Sequence, residues 1–570
     1  MADTVPFAFT CEGGLVLNRS TFIMEPGQAL ELTNFEPDIE GGYRRINGFQ
    51  PHINQIVPED LSSSESVLMV ALFSNYVLAA RGRNIWSSAS TPLSVKILAG
   101  TGMTGSGTIN VTSTTSFSSS GTLQINSEIF TYTGKTTTSF TGVTRATSST
   151  TATIHAANSV VSETWIQRDS GRTGAVKYHF ERFNFDGTDK IIVADGVNAP
   201  TVFNTSLTAT DVSTSSVVGS KFVVSFKNHM FYAGKSTTPQ EVIFSVPFDE
   251  DDFSSGSGAG SIKVDDTITA LKVFRDDLFI FCENRIFKLS GTSSANFAVS
   301  AVTRDIGCIN GFTVQEFAGD LIFLGPDGLR TIAGTARIGD VELGTISSNV
   351  QSIFRENLQD ADNFDSLVIP DKTQYRIFFS KDGTEPTTFG VICVMKGTGF
   401  EFAQTKGIKP SSTDSVVQNG TVLPVHGGFD GYVYRQDIGD TFNGALIQAK
   451  YRSPDLTFGD PGIRKYMQRV NINYAPESTI DADMFVRYDY EAQGSTRPAA
   501  YPLDSLNVAG IYGTSTYGVT SYGGPSQPIV RKSVEGSGFA VALRVEDGAT
   551  STGPYSLKGF QMEYQLGARR

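Results

Sequence analysis

The sequence predicts an all-β protein in which a β-propeller carries an inserted small β domain and is followed by a C-terminal β-sandwich. Three observations predict this fold. Short runs of Val, Ile, Phe and Tyr alternate with Asp-Gly, Asn-Gly and Gly-Gly turns along most of the chain. One hairpin pattern recurs every roughly 40 to 55 residues, the length of a four-stranded propeller blade. A Ser/Thr-rich stretch interrupts the first repeat, and longer alternating strands replace the hairpins near the end.

The recurring hairpin consists of an apolar strand, a turn with Gly or Asn, and a second strand. Its clearest copies begin at Tyr76, Lys190, Met230, Asp277, Asp320, Tyr375 and Val425. They predict one propeller of about six to eight blades, built from residues 1–94 and 161–445. Apolar strand residues of a propeller pack between neighbouring sheets, so we expect burial of Phe279, Phe281, Phe323, Phe378 and Val433.

Residues 95–160 differ in composition from their surroundings, since Ser and Thr dominate and aromatic residues are few. Removing this segment brings the first hairpin spacing down to one blade length. We therefore predict an inserted small β domain.

Near the start of this insert, Gly100-Thr-Gly-Met-Thr-Gly matches the G-x-G-x-x-G pattern of dinucleotide sites. A strand and a turn follow instead of the helix that such a site requires, so we interpret them as a linker.

Two regions depart from the hairpin pattern. Residues 446–570 contain longer strands in which polar and apolar residues alternate, which predicts a sandwich whose sheets each have one wet face. The run that starts at Ser347 predicts a short helix, because four apolar residues share one face and Ser or Asn precedes them. Those four are Val350, Ile353, Phe354 and Leu358.

Composition excludes several classes of function. The chain has 570 residues and a net charge of −13, which argues against a surface that wraps nucleic acid. Its four cysteines are scattered and are interpreted as buried apolar residues. No secretory signal or membrane-spanning run is recognisable. The sequence gives no reason to expect a cofactor.

No local catalytic motif stands out, but four kinds of candidate site need weighing. Acidic clusters at 249–252, 265–266 and 360–365 would suit calcium, although solvated loops or helix caps explain them better. The five histidines lack the spacing of a zinc site. Paired carboxylates from different blades would leave no local motif, so glycoside hydrolysis stays open. A Gly-rich segment carries regularly spaced rings that suit a protein interface or a loop covering the sandwich, Tyr512, Tyr517 and Tyr522.

The first fifty residues carry the clearest resemblance. The segment from Gly13 to Phe49 contains Glu40-Gly-Gly-Tyr-Arg-Arg-Ile-Asn-Gly. This acidic-Gly-Gly-x-Arg-Arg-x-x-Gly pattern resembles the opening of tailed-phage structural proteins. The order of the remaining parts and the ending from Leu557 to Arg570 agree with them. The likeness is closest to the tail nozzle or hub proteins of short-tailed phages.

The insert has a resemblance of its own. Three of its segments are similar to a small β module scattered through phage tail proteins. They are Gly121-Thr-Leu-Gln-Ile-Asn-Ser-Glu-Ile-Phe-Thr-Tyr-Thr-Gly, Phe140-Thr-Gly-Val-Thr-Arg and Ala152-Thr-Ile-His-Ala-Ala.

These resemblances imply a non-enzymatic virion protein, made in the host cytoplasm and built into the phage tail. They imply a homo-oligomeric ring, a hexamer in that family, around the channel of DNA ejection. Adaptor and fibre proteins would dock on it, and genomic DNA would pass without tight binding. We expect four arginines at subunit contacts, Arg44, Arg45, Arg569 and Arg570. The alternative is a tail-tip or fibre-associated propeller that binds or cleaves carbohydrate.

Overall fold

A computed structural model shows how the predicted strands pair. It describes residues 4–58, 66–91, 93–98, 105, 107–115, 117, 119–147, 150–332, 345–359, 361–380, 388–397, 399–418, 420–477, 480–491, 498–503, 529–548, 550 and 553–569. Strands are the main regular structure in these ranges. None of their helices is long and apolar enough to cross a membrane.

The propeller is a ring of antiparallel sheets, and in the described part of the chain six of them form blades around one axis. Each blade begins with its innermost strand, as expected for hairpins that radiate from an axis. Blade 1 contains β6 (Met69–Phe73), β7 (Tyr76–Arg81), β8 (Asn84–Ala89) and β16 (Ile166–Asp169). Blade 2 contains β17 (His179–Phe183), β18 (Lys190–Ala194), β19 (Thr201–Asn204) and β20 (Ala209–Asp211). Blade 3 contains β21 (Phe222–Phe226), β22 (His229–Ala233), β23 (Glu241–Phe244) and β24 (Gly260–Lys263).

The remaining blades complete the ring. Blade 4 contains β25 (Ile268–Phe274), β26 (Asp277–Cys282), β27 (Ile286–Ser290) and β28 (Ala298–Thr303). Blade 5 contains β29 (Gln315–Phe317), β30 (Asp320–Gly325) and β31 (Gly328–Thr331). Blade 6 contains β36 (Pro410–Gln418), β37 (Thr421–Gly428) and β38 (Val433–Gln436), with β5 (Phe49–Pro51), β39 (Thr441–Phe442) and β40 (Ala445–Leu446) outside them. Because β5 precedes blade 1 in the chain and pairs with β38, it closes the ring.

Four further strands lie in the ring between blades 5 and 6, and we call them the bridging sheet. They are β32 (Asn363–Ile369), β33 (Gln374–Ser380), β34 (Thr388–Lys396) and β35 (Gly399–Lys406). Strand β32 contacts β29 on one side and β36 on the other. The same sheet continues from β35 into the sandwich, so the propeller and the sandwich share one sheet of nine strands.

Apolar residues between neighbouring blades form the propeller core. Blades 4 and 5 share a cluster in which the Phe281 and Phe323 rings lie 5.4 Å apart. Similar clusters join blade 1 to blade 2, blade 2 to blade 3, and blade 6 to blade 1. All five residues expected to be buried are buried, which confirms the repeat-based prediction.

The insert folds as a separate sheet between β8 and β16 of blade 1. Its strands are β9 (Ser94–Lys96), β10 (Gly107–Asn110), β11 (Gly121–Ile125), β12 (Glu128–Tyr132), β13 (Gly134–Lys135), β14 (Ser139–Thr147) and β15 (Val160–Glu163). Its core contains Ile109, Leu123, Phe130 and Phe140, which cluster with other residues of the insert. The inserted small β domain is therefore present.

The sandwich consists of two sheets. One contains β1 (Thr4–Thr10), β3 (Phe35–Pro37), β4 (Tyr43–Arg45), β42 (Ile463–Pro476), β45 (Ile529–Ser533), β46 (Ser537–Gly538) and β48 (Tyr555–Arg569). The other is the outer part of the nine-stranded sheet and contains β2 (Glu31–Thr33), β41 (Lys450–Arg452), β43 (Ala482–Tyr488), β44 (Tyr501–Pro502) and β47 (Val541–Asp547). Ile472 and Phe560 of the first sheet share a buried cluster with Val486 and Leu543 of the second.

The N-terminal strands correct the expected division of the chain, because residues 4–45 lie in the sandwich and not in the propeller. Strand β1 pairs with β48 from Thr4 opposite Gln565 to Thr10 opposite Gly559. Strand β4 also pairs with β48. The alternation of polar and apolar residues along β1 indicates a strand. It does not indicate which distant strand pairs with β1.

The expected helix is α1 (Gln351–Leu358), preceded by a 3₁₀ turn at Ser348–Val350. Ile353 and Phe354 are buried and Leu358 packs against the same core, as the spacing predicts. The expected side-chain cap is absent at this described helix start. The Ser347 hydroxyl instead accepts a hydrogen bond from the Leu329 amide at 3.0 Å.

Candidate functional site

A cavity of about 350 Å³ lies on the propeller axis, where the inner strands converge. Strands β6, β17, β25, β32 and β36 contribute to its wall. The charged side chains that line it are Lys177, Glu181, Arg182, Lys272, Glu316, Asp365 and Asp414. Their partners determine what this cavity is able to bind.

The Lys177 ammonium interacts with three oxygen atoms of the protein. Its ammonium lies 2.6 Å from Asp365 Oδ2 and donates to the Asn363 side chain at 3.0 Å and the Phe364 carbonyl at 2.8 Å. Asp365 also accepts a hydrogen bond from the Thr413 hydroxyl at 2.6 Å. Burial lowers the pKa of Lys177 and raises that of Asp365, and each partner opposes the shift of the other. This pair links blade 2 to the bridging sheet and blade 6.

Arg182 makes a second connection at the axis. Its guanidinium contacts Asp414 of β36 and donates from Nε to the Leu72 carbonyl at 2.7 Å. The Leu72 amide donates to the same Asp414 carboxylate at 2.6 Å. Strands β17, β6 and β36 are thus joined through one carboxylate.

His179 and Glu181 lie on β17 and also line the cavity. Burial, together with Lys272 and Lys221, lowers the pKa of His179 to about 3, so the imidazole is neutral at physiological pH. Glu181 accepts a hydrogen bond from the Ser225 hydroxyl at 2.8 Å, and burial raises its pKa. Among the described residues, no cluster of His, Cys, Asp and Glu is arranged to hold a metal ion. The lining of the cavity therefore offers charged and hydrogen-bonding side chains.

A second charged cluster joins the sandwich to the propeller, and we call it the junction network. Its centre is Glu36 of β3, which lies within 3.2 Å of Arg44, Lys372 and Arg376. Arg376 and Lys372 also contact Asp437 next to blade 6. Although burial opposes ionisation of Glu36, Lys372 and Arg376 hold its pKa below the ordinary value.

The Gly-Gly-x-Arg-Arg signature leads directly into this network. Gly42 has a φ of +93°, and a Cβ there would lie 2.5 Å from the Leu557 carbonyl oxygen of β48. Only glycine tolerates both conditions. Arg44 forks onto Glu477 at 2.6 and 2.7 Å while also contacting Glu36.

Arg45 requires a correction. Its side chain is fully buried, and its Nε lies 2.6 Å from Asp547 Oδ2. The other oxygen of Asp547 accepts a hydrogen bond from the Tyr555 hydroxyl at 2.9 Å. Because its ion pair lies inside the sandwich, Arg45 is not available for the subunit contact that the sequence suggested.

The other predicted interface residues are placed differently. Arg569 has a side chain that is 75% exposed, with Asp460 at 3.7 Å, so a subunit contact there stays a prediction. Tyr512, Tyr517, Tyr522 and Arg570 lie outside the described residues.

The signature segments of the insert also meet at one charged centre. The buried Glu128 carboxylate lies 2.7 Å from the Arg145 guanidinium and 2.9 Å from His155 Nε2. It accepts a further hydrogen bond from the Thr153 amide at 2.8 Å. Burial opposes its ionisation, but Arg145 and the other donors lower the pKa of Glu128 to about 2. These residues fix three segments of the insert to one another.

The acidic clusters mostly match the loop interpretation. Asp249 accepts hydrogen bonds from the amides of Asp251 and Asp252 within one turn. Asp265 pairs with Arg285, and Asp266 accepts from the Asn284 amide. Asp365 is the exception, since it is buried at the axis, while Asp360 lies outside the described residues. All four cysteines are buried and unpaired, as expected.

Sequence reasoning noticed Asp365 only as part of an acidic run and did not single out Lys177. These residues are 188 positions apart, read from their numbers, and neither belongs to a motif. The apolar strands that follow Lys177 and surround Asp365 were the only available signal. Strand periodicity does not reveal which inner strands meet across the axis.

Comparisons with known proteins give little beyond this geometry. No family model matches the chain, and no curated protein matches it. Among solved structures, the chain is similar to the extracellular domain of a hybrid two-component system from B. thetaiotaomicron, at 9% identity and a TM-score of 0.33. That match covers 78% of this chain and 44% of the other.

Two more solved structures are similar at the same level. A Dos1 propeller matches with 10% identity and a TM-score of 0.33, covering 70% of this chain and 97% of the other. Raptor from Chaetomium thermophilum matches with 9% identity and a TM-score of 0.32. That match covers 74% of this chain and 30% of Raptor. The chain thus spans less than half of the first and third structures, and these scores support no functional assignment.

Proposed function

We propose that this chain is a structural component of a phage tail, a nozzle or hub protein that assembles into a ring around the genome exit channel. Its ring would dock adaptor or fibre proteins. One observation carries the proposal. The residues that resemble tailed-phage proteins, Tyr43, Arg44 and Arg45, make structural contacts within the sandwich, and Arg44 contacts Glu36 at the centre of the junction network.

The contacts of these residues support a structural role. The Tyr43 hydroxyl donates to the Gly27 carbonyl at 2.7 Å and accepts from the Gly14 amide at 3.0 Å, which ties down the N-terminal segment. Arg44 contacts Glu36 of the junction network, and Arg45 pairs with Asp547 inside the sandwich. Removing one member of a buried pair leaves an uncompensated charge, so the contacts of Glu36 with Lys372 and Arg376 favour one placement of the sandwich on the propeller. A ring subunit that transmits force during ejection needs this rigidity.

The propeller axis does not provide the path for DNA in this proposal. The axial cavity has a volume of only about 350 Å³, and the residues that line it include Lys177, Asp365, Arg182 and Asp414. Duplex DNA is much too large for such a space. The genome would instead pass through the lumen that several copies enclose.

The net charge of the chain is consistent with passage of DNA through that lumen. A net charge of −13 per chain disfavours tight contact with phosphates, and each Lys or Arg contact would add affinity that slows transit. We therefore expect no appreciable binding of duplex DNA at physiological salt.

Electron microscopy of the purified protein and of purified tails tests this function. We expect rings, formed alone or with neighbouring tail proteins, that lie on the tail axis. Arg569→Ala is expected to weaken ring formation, while Arg304→Ala, at an exposed position on the propeller, serves as the matched control. A strictly monomeric state inside tails, or tight and salt-sensitive DNA binding, would overturn the proposal. A peripheral appendage would favour the carbohydrate-binding alternative.

A further inference from the structure

A turn between the outer strands of blade 3 presents an aromatic ring to solvent, and we call residues 248–252 the acidic turn. Phe248 lies between β23 and β24 and is 60% exposed. Its φ is +64°, a left-handed conformation that is strained for a bulky residue. Its amide donates to the Asn228 carbonyl at 2.7 Å. The fold therefore fixes this residue in a strained conformation outside the core.

The carboxylates that follow the ring are mostly without a counter-charge. Among the described residues, Glu250 is the only one of the four with a cation partner, Lys190 at 2.9 Å. Asp249 accepts hydrogen bonds from two amides of the turn. Burial and the three neighbouring carboxylates raise the pKa of Asp251. The acidic turn thus combines an exposed ring with negative charge that the fold does not neutralise.

A pocket of complementary character lies beside blade 6, and we call it the lysine pocket. Its volume is about 550 Å³, and it is bounded by β39 and β40 of blade 6 and by β2 and β41 of the sandwich. Phe49 and Phe442 line it, and their stacked rings lie 5.2 Å apart. Leu446, which is 42% exposed, also lines it. An aromatic ring that enters this pocket would bury apolar surface against these side chains.

Positive charge predominates in the lysine pocket. The charged residues that line it are Lys406, Lys409, Lys450 and Glu31. Lys450 pairs with Glu546 at 3.3 Å, and the Lys406 ammonium lies 5.7 Å from the Phe389 ring. Within the described part of the chain, no carboxylate pairs with Lys406 or Lys409. Two ammonium groups are therefore available for carboxylates of another molecule.

The acidic turn and the lysine pocket lie on opposite sides of the propeller. In the described ring, blades 1 and 2 separate blade 3 from blade 6 in one direction, and blades 4 and 5 with the bridging sheet separate them in the other. The turn therefore cannot enter the pocket of its own chain. Two different surfaces on opposite sides of one subunit are the requirement for a head-to-tail contact, which forms a ring when its rotation closes.

We propose that the acidic turn of one copy docks into the lysine pocket of the next copy. Phe248 would pack against Phe442 and Leu446, while the carboxylates of the turn approach Lys406 and Lys409. This inference rests on the ring proposed above and names the surfaces that join its subunits. Burial of the ring supplies apolar contact, and the opposite charges determine which surfaces meet.

Charge reversal tests the contact in the full-length protein, with assembly measured by sedimentation velocity and electron microscopy. Asp249→Lys/Asp251→Lys and Lys406→Glu/Lys409→Glu should each weaken assembly about ten-fold or more, because like charges then face each other. The variant that carries all four changes should assemble like the parent, since opposite charges face each other again.

The control for charge reversal is Asp276→Lys/Asp305→Lys, which makes the same change of charge at two exposed positions on blade 4. It should assemble like the parent protein. Assembly that is unchanged in both charge-reversed variants, or that is not restored in the combined variant, would overturn the docking.

Crosslinking of assembled rings gives a second measurement that leaves Phe248 and the charges in place. The four native cysteines are buried, so Ser255→Cys/Ala445→Cys adds exposed thiols beside the turn and in the pocket. We expect a bismaleimide reagent to join successive chains covalently. Ser255→Cys/Ser113→Cys, with its second thiol at an exposed position in the insert, should give no such series.

The outcomes separate this contact from the proposed function. Rings on the tail axis that show no crosslink between the turn and the pocket would overturn the docking and leave the ring standing. A parent protein that stays monomeric, both alone and in purified tails, would overturn the docking and the proposed function together.

Discussion

Lys177 and Asp365 form an ion pair of 2.6 Å at the propeller axis. They belong to blade 2 and to the bridging sheet, which are not neighbours in the ring. Burial lowers the pKa of Lys177 and raises that of Asp365, and each charge opposes the shift of the other. The pair therefore connects blades that do not share a packed interface.

Asp365→Asn should destabilise the protein strongly, because it leaves the Lys177 ammonium buried without its carboxylate. We expect a loss of about 3–5 kcal/mol in the free energy of unfolding, measured by denaturant titration. Lys177→Met/Asp365→Leu replaces both charges with apolar groups and should lose less than either single variant. A loss in the double variant equal to the sum of the losses in Lys177→Met and Asp365→Leu would show that the pair is not coupled.

Phe281 tests the propeller core. Phe281→Ala should cost about 3–5 kcal/mol, because a fully buried ring is removed from the contact between blades 4 and 5. Phe281→Asp should prevent folding, since it buries an unpaired charge. Phe248→Ala, at a 60% exposed position, is the control and should change stability by less than about 0.5 kcal/mol. A soluble Phe281→Asp protein that melts cooperatively would contradict the core assignment.

Deletion of the insert tests its independence. Ser94 and Ser162 are paired across β9 and β15, so a short Gly-Ser linker can replace residues 94–163 without moving the ends apart. The insert has a hydrophobic core formed by its own residues. We therefore expect calorimetry to show a nearly unchanged melting temperature for the remaining chain. Aggregation of the shortened protein would mean that the insert completes the propeller core.

The insert should also lose stability in acid. The pKa of Glu128 is near 2 in the folded state and 4.5 for the ordinary group, so the unfolded state takes up the proton first. The stabilising contribution is complete above about pH 4.5 and is lost as the pH falls towards 2.

Hydrogen exchange of the β12 and β14 amides, corrected for the intrinsic rate at each pH, measures this loss. Glu128→Gln should be less protected at pH 6 and should lack the acid dependence between these values. Protection in the parent protein that is constant from pH 5 to about pH 2 would contradict the role of the carboxylate.

The sequence by itself determined the class of the fold and much of its core. Period-two runs and turn residues identify strands, and their recurrence at blade length identifies the propeller. Phe281 and Phe323 were predicted to be buried because neighbouring sheets cover both faces of an apolar strand inside such a ring. The helix at Gln351–Leu358 was predictable because its apolar spacing is local.

Tertiary structure alone decided which distant strands and charges meet. Strand β1 pairs with β48 although hundreds of residues separate them, and Arg45 is buried against Asp547 instead of lying at the surface. Lys177 meets Asp365 only because closure of the ring brings their strands to one axis. Local patterns record which face of a segment is apolar, whereas the choice of partner is a long-range property set by packing of the whole ring and sandwich.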